Sequence, residues 1–239
     1  MSDILQQNIG YARTLKNVLR LRREPVAIKL IRKGEPFPEG MQVPEKQISH
    51  CQAVAGASNG SSFKLPLASQ SCMVGASALN MTETPEKVAS GEFHYSMGMH
   101  DSQEAVARMI AQRMIVPFEC DGEAIAPLKD ADFTPDIVAI IDIPERCYWT
   151  VPLATAEKGG RIQFSTSPFQ CCCEDIVAVP MCTGSPNISL GCFGCRKRTD
   201  MKADEMAVGI PYSAIPDYVD HLRRYESGVM TKAKRDREC

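Results

Sequence analysis

The chain has 239 residues, 44% of them hydrophobic and 23% charged, with a net charge of −2. That length buries a core without disulfide staples, and the near-zero charge excludes a nucleic-acid binder held by bulk positive charge. Eleven cysteines therefore need a reason other than small size, and their odd number excludes complete pairing within the chain.

Met1 to Asn8 shows no basic segment followed by an apolar run, and no stretch approaches a membrane span. The expectation is a cytoplasmic protein with no membrane and no nucleic-acid partner. In a reducing cytoplasm, clustered cysteines read as metal-binding or catalytic.

Residues 3–21 read as an amphipathic helix, with Leu5, Ile9, Ala12, Leu15, Val18 and Leu19 at helical spacing. A strand at 25–31 and a Pro- and Gly-rich loop at 34–44 follow. Ser49 is a candidate cap that puts Cys51 in a first helical turn, and Ser71 is a candidate cap before Cys72. Residues 92–97 read as a strand and 102–114 as a helix. The apolar run at 135–143 is expected to be a buried central strand. After it come a helix at 145–156, a Gly159-Gly160 stop and a short strand at 161–164. A strand at 206–210, an amphipathic helix at 215–225 and a charged tail at 232–239, expected to be disordered, complete the chain.

Six of the eleven cysteines fall between positions 171 and 195. Ser167 and Pro168 suit a helix cap and first helical position, which would place Cys171, Cys172 and Cys173 in the first turns. There the unpaired N–H groups and the helix dipole favour thiolates. Successive helical residues point about 100° apart, so the three cannot all face one core. Cys192-Phe193-Gly194-Cys195 adds a C-x-x-C, whose spacing lets two sulfurs approach one metal or cluster. Cys182 lies between. The run Arg196-Lys197-Arg198 reads first as a solvated face. Arg196 and Arg198 are also candidates for holding an anionic cofactor. His50, beside Cys51, reads as a structural histidine. Cys120 and Cys147 read as packing residues.

The halves share an order of elements. Cys51 and Cys72 are 21 positions apart, as are Cys171 and Cys192, and Met81 and Met201 each follow nine positions later. The spacing predicts a duplication, with halves at 1–125 and 126–230 and a tail at 231–239. Facing halves would bring Cys51 and Cys72 towards the 171–195 cysteines. The fold class expected is α/β or α+β, two pseudo-repeated halves of short strands and helices around a cysteine-rich centre.

Pro25-Val26-Ala27-Ile28-Lys29, Cys51 with Ser71-Cys72-x-x-Gly75, Gly160-Arg161, Pro186-Asn187-Ile188-Ser189-Leu190 and the 204–211 segment carry a resemblance. In this order they resemble the family catalogued as domain of unknown function 169, over nearly the whole chain. The resemblance implies an intact fold, important cysteines and an archaeal or anaerobic setting that suits oxygen-sensitive clusters. It implies no reaction. Cys171, Cys173, Cys182 and Cys195 exceed the family's general pattern.

The metal candidates are thus Cys51, Cys72, Cys171, Cys172, Cys173, Cys182, Cys192 and Cys195. A [4Fe–4S]-type iron–sulfur cluster with a redox role is the first reading, serving a redox partner protein or a small-molecule substrate. The alternatives are a non-catalytic soft-metal binding or delivery module and a zinc-stabilised structural protein. Thiol–disulfide or sulfur-transfer chemistry is a further reading of the C-x-x-C. An oligomer is compatible with all of these. No phosphate-binding glycine loop, H-E-x-x-H or G-x-S-x-G is present.

Overall fold

The structure, a computed structural model, describes residues 2–231, with the Cys171 side chain left out of the description. The tail at 232–239 lies outside the described residues. The strands are β1 (Val26–Arg32), β2 (Phe63–Pro66), β3 (Cys120–Pro127), β4 (Ile137–Asp142), β5 (Asn187–Ser189) and β6 (Met206–Pro211). They form one six-stranded sheet, antiparallel at every pairing, in the order β2-β3-β1-β4-β6-β5. Read outward from the β1–β4 pair, the order is the same on both sides: the third strand of each half lies beside the first, and the second lies at the edge.

The helices are α1 (Asp3–Leu19), α2 (His50–Ser58), α3 (Met73–Ala78), α4 (Glu86–Ala89), α5 (Glu92–Tyr95), α6 (Gln103–Ala111), α7 (Pro144–Cys147), α8 (Thr150–Thr155), a π-helix at Cys171–Ala178, α9 (Val179–Thr183), α10 (Phe193–Arg198) and α11 (Ile215–Ser227). Strand alternation sorts them into two layers. Ala27, Val138 and Ile140 face α1 and α11, against Leu15, Val18, Tyr218 and Leu222. Val26, Ile28, Leu30, Ile137 and Ile141 face α2, α3 and the π-helix, against Ala53, Val54, Ala76 and Ile176. Both faces of the sheet are covered, which is why β4 is apolar at nearly every position. Full burial of a side chain such as Leu15 or Ile28 is worth about 2 kcal/mol each.

Several expectations are corrected. Residues 92–95 form the helical turn α5, not a strand; alternating Phe93 and Tyr95 mimicked a strand's period, while His94 is the residue that turns inward. Residues 161–167 take no regular structure. The helix expected at 145–156 is broken into α7 and α8. The helix expected from Ser167 begins instead at Cys171, behind Gln170 in the left-handed region at φ 66°. β3 runs through positions 125 and 126, and the one sheet holds strands from both halves.

The π-helix lies directly on β6. A Cβ added to Gly209 would stand 2.0 Å from the Ile176 carbonyl oxygen, so only glycine permits this backbone-to-backbone approach. The contact fixes where the consecutive cysteines sit.

Candidate metal centre

Four helix starts on one face of the sheet carry the cysteines. Ser49 caps α2 with a capping box: its Oγ accepts from Gln52 N (3.3 Å), and Gln52 Oε1 accepts from Ser49 N (3.0 Å). This sets Cys51 in the first turn. Cys72 and Cys192 are themselves the N-cap residues of α3 and α10. The Cys192 Sγ accepts from Cys195 N at 3.4 Å, satisfying one of the amides that a helix start leaves over. Cys172 and Cys173 lie in the first turn of the π-helix, a helix type often found at functional sites.

The sulfurs of Cys51, Cys172 and Cys195 lie within 4.8 Å of one another. Cys172 and Cys195 are 3.6 Å apart, Sγ to Sγ, and both are buried. Cys72 and Cys173 both approach Gly75: a Cβ there would touch Cys173 Sγ at 3.5 Å and Cys72 Sγ at 3.7 Å. Cys51, Cys72, Cys173, Cys192 and Cys195 line a common cavity of about 750 Å³, with Cys172 behind them. Of the eight metal candidates, six thus gather at one place. Cys182 is not among them: it is exposed and donates to the Ile115 carbonyl at 3.3 Å, away from the cavity. The Cys171 side chain lies outside the described residues.

The two arginines part company. Arg198 lines the cavity. Arg196 does not; it donates to the carbonyls of Leu190 (Nε, 2.9 Å), Lys202 (3.0 Å) and Glu205 (2.9 Å) and straps the loop after β5 to the start of β6. His50 is structural. Its Nδ1 contacts Glu123 Oε2 at 2.6 Å and its Nε2 contacts the Cys172 carbonyl at 3.1 Å, while Gln70 donates to Glu123 Oε1 at 2.8 Å. The chain Gln70–Glu123–His50 therefore holds the backbone of Cys172 from β3. Cys120 and Cys147 are buried elsewhere, and burial pushes both thiols up to about 12, which keeps them protonated and inert.

Two carboxylates follow the cysteines inside the fold. Burial pushes Glu174 up to about 7 despite the amide of Met114, which donates to it at 3.0 Å. With its amide turned to suit both neighbours, Gln170 donates to Glu174 Oε2 (2.6 Å) and accepts from Arg113 (3.0 Å). Burial likewise pushes Asp175 up to about 7, although Ser189 (2.7 Å) and Thr166 (2.8 Å) donate to it. The two carboxylates anchor the π-helix to its surroundings and do not line the cavity, whereas Gln170 does.

Beyond the sulfurs, Met73, Val74, Val88, Phe93, Met97 and Phe169 make much of the cavity wall apolar. His94 and Phe169 were not marked by any sequence signal; an isolated histidine between aromatic residues looks the same in a surface turn.

A family model described as uncharacterised ArCR, DUF169, matches residues 14–221. An uncharacterised protein of Methanocaldococcus jannaschii is 29% identical over 216 residues, covering 90% of this chain and 93% of its own. No solved structure matches.

Proposed function

This chain belongs to the DUF169 family, and on that premise we propose that its cysteine centre holds an iron–sulfur cluster of the [4Fe–4S] type with a redox role. The observation that carries the reading is the convergence of cysteines from four helix starts on one cavity in which Glu86 is the sole carboxylate of the lining among the described residues. An all-sulfur donor set selects soft metals. Helix starts supply N–H donors to an anionic centre and its sulfurs, one of the influences that set a cluster's potential. When bound, such a cluster supplies one-electron transfer. The protein's own residues hold it, through Cys51, Cys172, Cys192 and Cys195 with Cys72 and Cys173 adjacent, and leave it open to a small molecule entering the cavity. A redox partner protein would meet the same opening from outside.

The 3.6 Å between Cys172 and Cys195 favours a second reading, a single zinc ion. Thiolates about 2.3 Å from one tetrahedral metal stand about 3.8 Å apart, whereas cluster ligands bind separate irons and spread further. Anaerobic purification with iron, sulfide and zinc analysis decides between them. The expected result is a brown protein with about four irons and about four sulfides per chain. Cys51→Ser and Cys192→Ser should each lower both contents, while Cys182→Ser leaves them unchanged. Serine caps helices well, so loss in Cys192→Ser reports a ligand and not a frayed α10. A colourless protein with stoichiometric zinc and no sulfide overturns the cluster and establishes the second reading.

A further inference from the structure

We propose that the cavity over the cysteines is a binding site for an organic anion with an extended apolar body, a fatty or aryl carboxylate, held at its carboxylate by Lys197 and Arg198. The inference goes beyond the metal centre and does not rest on it. The cavity's volume, about 750 Å³, lies in the range of small-molecule sites, which are mostly apolar with a few placed polar groups. Met73, Phe93, Met97 and Phe193 remain substantially exposed, from 37% to 50%, and line the same cavity. Large apolar side chains gathered around an opening mark a place where apolar matter binds.

Among the described residues, cations outnumber carboxylates in the lining, with Lys87, Lys197 and Arg198 against Glu86. Lys197 and Arg198 lie in the last turn of α10 and line the cavity. Neither is in an ion pair among the described residues, whereas Arg22, Arg23 and Lys87 are each paired with carboxylates. Lys197 Nζ stands 5.7 Å over the Phe193 ring, which places a cation against an apolar surface. The arrangement suits a molecule with a charged head and an apolar body.

His94 is an independent sign of a ligand. Its side chain lines the cavity at 3% exposure, its ring lies 4.2 Å from that of Phe169, and its Nδ1 has no hydrogen-bond partner among the described residues. A buried polar atom left unsatisfied is costly, and native proteins keep few of them. Here the residue that carries it is part of the cavity wall. A bare phosphate fits this wall poorly, since it would leave the apolar surface uncovered.

The test is calorimetric titration of the full chain with decanoate, decan-1-ol and decyltrimethylammonium, as purified and again after chelation. Decanoate is expected to saturate one site, before and after chelation, and to bind more tightly than the other two. Lys197→Gln with Arg198→Gln should weaken decanoate at least about tenfold and change decan-1-ol less than about twofold. Met97→Asp, at an exposed position that leaves the core untouched, should weaken both. No saturable decanoate binding, equal affinity for the cationic analogue, or unchanged decanoate affinity in the double variant overturns the proposal. Because the chelated protein is measured separately, absence of a cluster leaves the outcome intact.

Discussion

Two glycines near the cysteines differ in what they tolerate. At Gly209 the nearest atoms to an added Cβ are the Ile176 carbonyl oxygen, carbonyl carbon and Cα, all within 2.7 Å. Backbone cannot rotate aside, so Gly209→Ala is expected to cost about 3 kcal/mol, seen as a lower urea midpoint. At Gly75 an added Cβ meets sulfurs at ordinary distances and the helix gains up to about 1 kcal/mol of propensity. Gly75→Ala should hold or raise the midpoint while slowing maleimide labelling of Cys72; a lower midpoint would contradict the packing described. His94 carries a pH dependence. Burial, with Arg113 and His100 adding repulsion, holds its ring down at about 4 against an ordinary 6.5. Between those values the unfolded chain binds the proton and the folded chain does not, so stability rises with pH. The contribution is complete above pH 6.5 and is lost as pH falls to about 4, at most about 3 kcal/mol. Urea midpoints of wild type and His94→Asn should therefore converge with acidification over this window, and a constant gap between them would count against it. None of this was legible in the sequence, because a glycine's neighbours and a histidine's burial belong to the tertiary structure.

Helix starts, by contrast, declare themselves locally. Ser49 three residues before Gln52 is a capping box in sequence and in structure, and it placed Cys51 correctly. Ser49→Ala is expected to lower stability by about 1 kcal/mol and, with the proposed metal centre loaded, to speed metal loss to a chelator, with Ser49→Asp restoring both. Retention of metal by the alanine variant as in wild type would show that the cap does not position Cys51. The π-helix was misread for a physical reason. Ser167-Pro168 is a sound local start signal, but Gln170 adopts a left-handed backbone and the helix begins after it, where contact with Gly209 dictates its path. β3 was missed because Cys120-Asp-Gly-Glu-Ala-Ile-Ala-Pro is poor in β-branched residues. It is a strand because β1 and β2 pair with it on both edges.

Across the whole molecule, the two sides of the sheet place their cysteines alike. In each half a cysteine-bearing helix, α2 or the π-helix, precedes the edge strand, and a cysteine-capped helix, α3 or α10, follows it. The antiparallel β1–β4 seam left no trace in the sequence. Arg23 bolts the first half to the second. It donates to both oxygens of Glu205 (3.1 and 2.9 Å) and to Asp200 (3.0 Å), with side-chain exposures of 6% for Arg23 and 1% for Glu205. Arg23→Met would strand a buried carboxylate and should cost about 3–5 kcal/mol. Arg23→Met with Glu205→Met should recover most of that in urea unfolding. A double variant as unstable as the single one would place the cost in lost packing instead.

The sheet's register also sets an order of events in time. β1 pairs with β3 through Val26↔Pro127 and Ile28↔Ile125, contacts about a hundred residues apart along the chain. Loops of that length close slowly, because their entropy is lost before any contact compensates it. In the finished fold α2 packs on both β1 and β4 and meets α10, so the β1–β4 seam frames the place where Cys51 and Cys195 come together. Until such distant segments meet, a newly made chain carries its sulfurs apart. During that interval they are open to oxidants and to stray ions, and the finished fold is what first gathers them into one centre.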